Sequence, residues 1–172
     1  MSDDRQMSVS LNQVEAEVTI QRVPEDVFAF YADFGNLPRF LGDVMEVKIL
    51  SPERSQWRIE GPFGIRAHWT VEVTERVPNE RIRYEVVDSD LGQAAWDVYF
   101  SPGSTPNETK VREVLTAPMG KLERMAMALM GKFPEQEVRA NLHRLKELLE
   151  TGKITDTSFA VKGKFADANE RP

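Results

Sequence analysis

No cysteine occurs in the 172 residues, so neither a disulfide framework nor a thiolate metal site is available. Only two histidines are present, His68 and His143, which argues against a multi-histidine metal centre. No clustered Asp/Glu loop of the calcium-binding kind appears either, so the sequence calls for no metal and no cofactor. Positive charge is in deficit, with 22 Lys and Arg against 28 Asp and Glu and a net charge of -6. That balance is the opposite of the basic face a nucleic-acid binder presents, and no nucleic-acid partner is expected. No apolar run is long enough to span a bilayer. The opening Met1-Ser-Asp-Asp4 lacks the basic flank and apolar core of a signal peptide, so the expected location is cytoplasmic. The length suits one domain able to bury roughly 70% of its unfolded surface.

What is present is organised around a stretch near the C-terminus. Val138, Leu142, Leu145 and Leu149 recur at steps of four, three and four, one face of an amphipathic helix. Pro134 fits its first position, Glu135 and Glu137 favour the positive end of its dipole, and Gly152 suits its stop. Upstream the dominant period is two. Val14, Ala16, Val18 and Ile20 alternate with Glu15, Glu17 and Thr19 as a half-buried strand. Pro24 then opens a short helix in which Val27, Phe30 and Tyr31 share a face. Gly35-Asn36 breaks it, and Asn36 is placed to cap a second short turn carrying Leu37, Phe40 and Leu41. From Val44 to Thr116 the pattern predicts strands at Val47/Ile49, Trp57/Ile59, Ile65–Val73, Ile82–Val86, Trp96–Phe100 and Thr109–Leu115. Short turns such as Val77-Pro-Asn-Glu80 join them into an antiparallel meander with one wet and one dry face. The fold class is therefore α+β: about seven strands curved around one long C-terminal helix, with two short helices after the first strand. Residues 1–12 read as a flexible arm, 13–152 as the domain, and 153–172 as a polar tail without fixed structure.

Several phrases resemble a known family. They are Val23-Pro-Glu-Asp-Val-Phe28, Asn36-Leu-Pro-Arg-Phe-Leu41, Arg54 to Gly64, Trp69 to Ile82, Val98-Tyr-Phe-Ser-Pro102 and Asn141 to Gly152. Together they resemble the START-like (SRPBCC) helix-grip superfamily, in particular the bacterial polyketide cyclase/dehydrase group related to coenzyme-Q-binding proteins. The resemblance implies a curved sheet gripping the final helix with an apolar cavity between them, open to lipids, quinones or polyketides. No catalytic motif is shared across the superfamily, so the resemblance assigns no catalytic residue.

On this register Trp57, Ile59, Trp69, Val71, Tyr84, Trp96, Val98 and Phe100 face inward, joined by Phe30 and Phe40 from the short helices. Each ring alone reads as core; with the resemblance, the group reads as a cavity lining that also includes Met125, Leu129 and Leu142. Glu113 is the one oddity. It shares a face with Val111 and Leu115, while Lys110 and Arg112 take the other. If Val111 and Leu115 face the helix, Glu113 is buried too, with a raised pKa, and becomes the candidate acid, base or ligand-orienting group. If Val114 marks the dry side, or a bulge intervenes, Glu113 lies in water. His68 and His143 read as exposed. The segment from Pro118 to Phe133, rich in methionine and flanked by Lys121, Arg124 and Lys132, reads as a lid, as a transient membrane contact, or as a helix packed on the sheet rim. The expected function is binding or carriage of a hydrophobic small molecule. A cyclase or dehydratase using the same cavity is the alternative. A protein-interaction module is disfavoured by the Arg, Glu and Thr of the outer face. Oligomeric state is left open.

Overall fold

The structure is a computed structural model and describes residues 11–61, 66–88, 94–118 and 134–165. Strand β1 (Leu11–Ile20) is followed by helix α1 (Pro24–Ala32) and a 3-10 helix (Phe34–Arg39). Six further strands follow: β2 (Val44–Ile49), β3 (Arg54–Glu60), β4 (Arg66–Val77), β5 (Arg81–Asp88), β6 (Ala95–Pro102) and β7 (Thr109–Pro118). The final helix, α2, spans Pro134–Thr151.

The strands form one antiparallel sheet in the order β1-β7-β6-β5-β4-β3-β2, so β2 to β7 are the expected meander. What the meander leaves open is the place of β1, which pairs with β7 rather than β2. The first two strands thus occupy opposite edges, and α1 with the 3-10 helix must carry the chain from one to the other. Register shifts in the β2–β3 and β4–β5 pairings bend the strands locally. The sheet is curved and open, and α2 packs against β1, giving the helix-grip arrangement.

Alternation sets which side of each strand is dry. On β4, Trp69, Val71 and Val73 are buried while Arg66, His68 and Thr74 are exposed. The outward positions are tied by ion pairs across neighbouring strands. Arg112 pairs with Glu15 at 2.6 Å, and Asp97 takes Arg81 at 2.6 Å and Arg83 at 2.5 Å. Asn79 in the β4–β5 turn adopts φ +63°, a left-handed geometry that asparagine tolerates.

α2 begins and ends as its sequence predicts. Val138, Leu142 and Leu145 are buried and Leu149 half-buried; Gly152 stops the helix at φ +76° and donates its N–H to the Leu148 carbonyl at 2.9 Å. The short elements differ in detail. The face of α1 turned to the core is Val27, Phe28 and Tyr31, with Phe30 only half-buried. The cap of the 3-10 helix is Asp33, which accepts from the Gly35 N–H at 3.0 Å, and not Asn36. The Asn36 amide instead donates to the Phe30 carbonyl at 3.0 Å, closing the end of α1.

Residues 153–165 depart from the expectation of an unstructured tail. They lie back across α2 and the loop before β2, with Ile154 and Phe165 buried. Arg144 of α2 is fully buried and is the hub. It donates to the Phe40 carbonyl at 2.8 Å, the Ser158 carbonyl at 2.5 Å and Asn141 Oδ1 at 2.5 Å. Gly42 is gripped from both sides: its N–H donates to Asn141 Oδ1 at 3.0 Å and its carbonyl accepts from the Val161 N–H at 2.9 Å. Lys164 donates to the carbonyls of Leu41 and Val44. Farther up, Glu147 accepts from the Thr155 N–H at 2.9 Å and hydroxyl at 2.6 Å, and from the Asp156 N–H at 3.1 Å. Its apolar residues, Ile154, Phe159, Ala160, Val161 and Phe165, follow neither a helix nor a strand period, so no periodicity announces it; backbone carbonyls and polar side chains hold it.

Candidate functional site

The concave face of the sheet gathers the aromatic residues at one level. Trp57, Ile59, Trp69, Val71, Tyr84, Trp96, Val98 and Phe100 are all buried, as their alternation requires. Tyr84 and Trp96, opposite each other on β5 and β6, stack with centroids 5.3 Å apart and planes 7° apart. Trp57 leans on the Tyr84 ring at 5.7 Å, and Trp69 meets Trp96 at 6.2 Å. Phe40 is fully buried and sits 5.8 Å from Tyr31, which also meets Phe100 edge-on at 5.8 Å. Phe30 is peripheral: half-buried, 6.2 Å from Phe40, with the Arg39 guanidinium over its outer face. Leu142 of α2 is buried. Met125 and Leu129 lie outside the described residues, as do residues 119–133 of the expected lid or membrane contact; Pro118 is the last residue of β7.

Two rings at this level escaped the sequence reading. Phe34 is buried and meets Tyr84 edge-on at 5.1 Å and Trp57 at 5.8 Å. Phe28 is buried and meets Phe100 at 5.3 Å. For Phe34 a signal was available. Phe34, Leu37 and Phe40 recur every three residues, the repeat of a 3-10 turn, and all three are buried.

Glu113 stands among these rings, only 2% exposed, between Ala16 of β1 and Val98 of β6. The inward reading of β7 therefore holds, with Val111 and Leu115 buried beside it. The Tyr31 hydroxyl donates to Glu113 Oε2 at 3.5 Å and lies 3.0 Å from the Tyr84 hydroxyl. A carboxyl and two phenols thus form a connected polar chain from β7 through α1 to β5. The two tyrosines bond to each other, and Tyr31 also to the carboxyl.

Burial dominates the electrostatics. Loss of water pushes the Glu113 carboxyl up to about 7, and the bond from Tyr31 pulls the other way. Loss of water also drives both tyrosines well above their ordinary range, and the nearby Glu113 adds to it. At neutral pH the phenols are fixed as neutral donors and acceptors. Glu113 is divided between acid and carboxylate, so it can give or take a proton.

The histidines take no part. His68 is on the outer face and exposed. His143 is exposed on α2 and bonds to Asp156 at 2.9 Å, with Glu147 at 3.4 Å. Glu147 stands one helical turn on, and Asp156 arrives only through the fold. Glu147 and Asp156 also accept bonds from Thr155, Asp156 and Ser158, which hold the returning segment.

Residues 12–150 match the family described as polyketide cyclase / dehydrase and lipid transport. The chain belongs to this family. Solved structures with the same fold include a protein of Deinococcus radiodurans, 24% identical, with a TM-score of 0.62 over 82% of this chain and 99% of that one. A START superfamily protein of Mycobacterium smegmatis is 16% identical, with a TM-score of 0.63 over 80% of this chain and 98% of its own. The di-domain aromatase/cyclase BexL from the BE-7585A biosynthetic pathway is 19% identical, with a TM-score of 0.62 over 81% of this chain and 46% of its own. No curated protein matches the sequence. Likeness at these identities carries the fold and no residue role. Family and fold together point to hydrophobic-ligand binding or polyketide-cyclase-like chemistry. The match ends at residue 150, so the segment 153–165 lies beyond the matched residues. Among the described residues no helix is long and apolar enough to cross a membrane.

Proposed function

We propose that this protein binds or carries a hydrophobic small molecule, of lipid, quinone or polyketide type, between the concave face of the sheet and α2. The observation that carries the reading is Glu113: a carboxyl buried among aromatic rings, bonded to the Tyr31 phenol, which is bonded in turn to that of Tyr84. As a contribution to stability this is a poor choice, since burying an ionisable group without a counter-charge costs several kcal/mol. An aliphatic residue would pack there without that cost. A group retained against stability marks a site where ligand chemistry decides the residue. The apolar body of the ligand gains about 25 cal/mol for each Å2 removed from water, and the carboxyl and phenols orient its polar end.

Native mass spectrometry of freshly purified protein, followed by denaturing extraction, tests the reading. A stoichiometric apolar molecule released on denaturation is the expected result. An empty protein that also leaves Nile red fluorescence unchanged refutes it. The cyclase or dehydratase alternative gains from the same carboxyl, because an acid that titrates near neutrality can shuttle a proton during carbon–carbon bond formation or loss of water. Turnover of a poly-β-ketone that disappears in Glu113→Gln would move the assignment from carrier to enzyme.

A further inference from the structure

We infer that the Glu113–Tyr31–Tyr84 chain makes the site selective for uncharged apolar molecules bearing a carbonyl or hydroxyl, and turns away those bearing a carboxylate. The inference rests on the binding reading above and adds which chemistry the ligand's polar end must have.

The geometry supplies both halves of the selection. Three oxygens lie in sequence, Glu113 Oε2 to the Tyr31 hydroxyl at 3.5 Å and on to the Tyr84 hydroxyl at 3.0 Å. Phenols donate and accept, and a carboxyl offers an acceptor in either state and a donor when protonated. A ligand carbonyl can therefore take a proton donor from the chain, and a ligand hydroxyl can give its own. The long Tyr31–Glu113 contact is the weakest link, at the edge of hydrogen-bond range, and is the place where a ligand oxygen improves on the resting arrangement.

A carboxylate finds the reverse. It would need a cation, and the cations on the α2 side are committed elsewhere: Arg139 pairs with Glu135, and Lys146 donates to the Thr19 carbonyl and Glu150. Arg144 spends its guanidinium on two backbone carbonyls and Asn141, with the Phe165 ring against it. Lys164 is held by the carbonyls of Leu41 and Val44. The strand arginines and lysines near Glu113 point outward, where Arg112 is paired with Glu15 and Lys110 with Glu17. Among the described residues no cation bonds to Glu113, and a ligand carboxylate would meet a second carboxyl without a counter-charge between them.

Four naphthalene probes of similar shape test this, read by quenching of the protein's tryptophan fluorescence at pH 8: naphthalene, 2-acetylnaphthalene, 2-naphthol and 2-naphthoate. The expected order places the ketone and the naphthol tightest, naphthalene weaker, and 2-naphthoate at least about tenfold weaker than the ketone, the factor that one unit of pKa displacement represents. In Glu113→Leu, the gap between ketone and naphthoate, each taken relative to naphthalene on the same variant, should shrink to within about threefold, a residue left to the two phenols. If 2-naphthoate binds the native protein as tightly as the ketone, or the gap survives in Glu113→Leu, the selectivity inference is wrong and the binding reading stands. If none of the four binds, both fall. A Glu113→Leu protein that fails to fold is replaced by Glu113→Gln, which keeps the size and an acceptor oxygen but removes the charge, and should likewise narrow the gap.

Discussion

Replacing Glu113 by Gln should change the way stability depends on pH, and the size of the change follows from the burial. The carboxyl is raised from an ordinary 4.5 to about 7 by loss of water. An acid whose folded pKa lies above its unfolded value binds protons more tightly in the native state. The native protein is therefore most favoured below about pH 4.5, loses stability as pH rises through the window to about 7, and is level above it. At about 1.4 kcal/mol per unit, the displacement amounts to about 3 kcal/mol across the window. Glutamine fills the same space, keeps an oxygen for the Tyr31 hydroxyl and cannot ionise, so the variant lacks this component. Other carboxylates titrate alike in both proteins and cancel in the difference. Urea denaturation of both proteins from pH 4.5 to 8.5 gives the test. The variant should gain about 3 kcal/mol on the native protein between the ends of that range, a relative shift of about 1–2 M in midpoint for a urea slope of about 2 kcal/mol/M. An unchanged difference at pH 5 and pH 8 would show that the carboxyl is solvated and titrates normally, and would remove the basis for treating it as a functional group.

Tyr31→Phe should raise the Glu113 pKa above about 7, because the one bond that lowers it is lost, and should cost about 1 kcal/mol; carbon-detected NMR of the side-chain carboxyl reads the pKa directly. Leu142→Ala should cost about 2–5 kcal/mol in thermal or urea unfolding and, if α2 forms a wall of the binding site, should alter Nile red affinity as well; unfolding alone would make Leu142 plain core. Gly42→Ala should lever residues 153–165 off the domain, since its Cβ would stand 2.5 Å from the Phe159 carbonyl oxygen and 2.9 Å from the Ala160 Cα. The expected loss is about 1–3 kcal/mol, with faster cleavage of that segment by a nonspecific protease; an unchanged cleavage pattern would mean the segment is not held where Gly42 meets it.

How much of this was legible in advance follows from how local each cause is. α2 was readable from four aliphatic residues and a glycine, because a helix that buries one stripe must show it at a spacing of three and four. The strands were readable by alternation; the side taken by Glu113 was left open, and it turns inward because β7 keeps its register without a bulge. The caps at Asp33 and Asn36 were misjudged because both residue types can cap, and which one does depends on where α1 ends.

By itself, then, the sequence determined the periods, the breaks and the exclusions: an α+β chain with no disulfides, an acidic balance, and one carboxylate, Glu113, whose side of its strand it left open. Only the tertiary structure decided who stands next to that carboxylate. Tyr31, Tyr84 and Glu113 are more than twenty-five residues apart from one another in the chain, on a helix and two non-adjacent strands. Nothing in a local pattern brings three such oxygens together; the curvature of the sheet and the passage of α1 across it do. The same holds for Arg144 and the returning segment. Neither shows a local sign of the other in the sequence, and Arg144 can be buried because the Phe40 and Ser158 carbonyls and Asn141 take its donors, while the Val161 N–H ties the segment to Gly42.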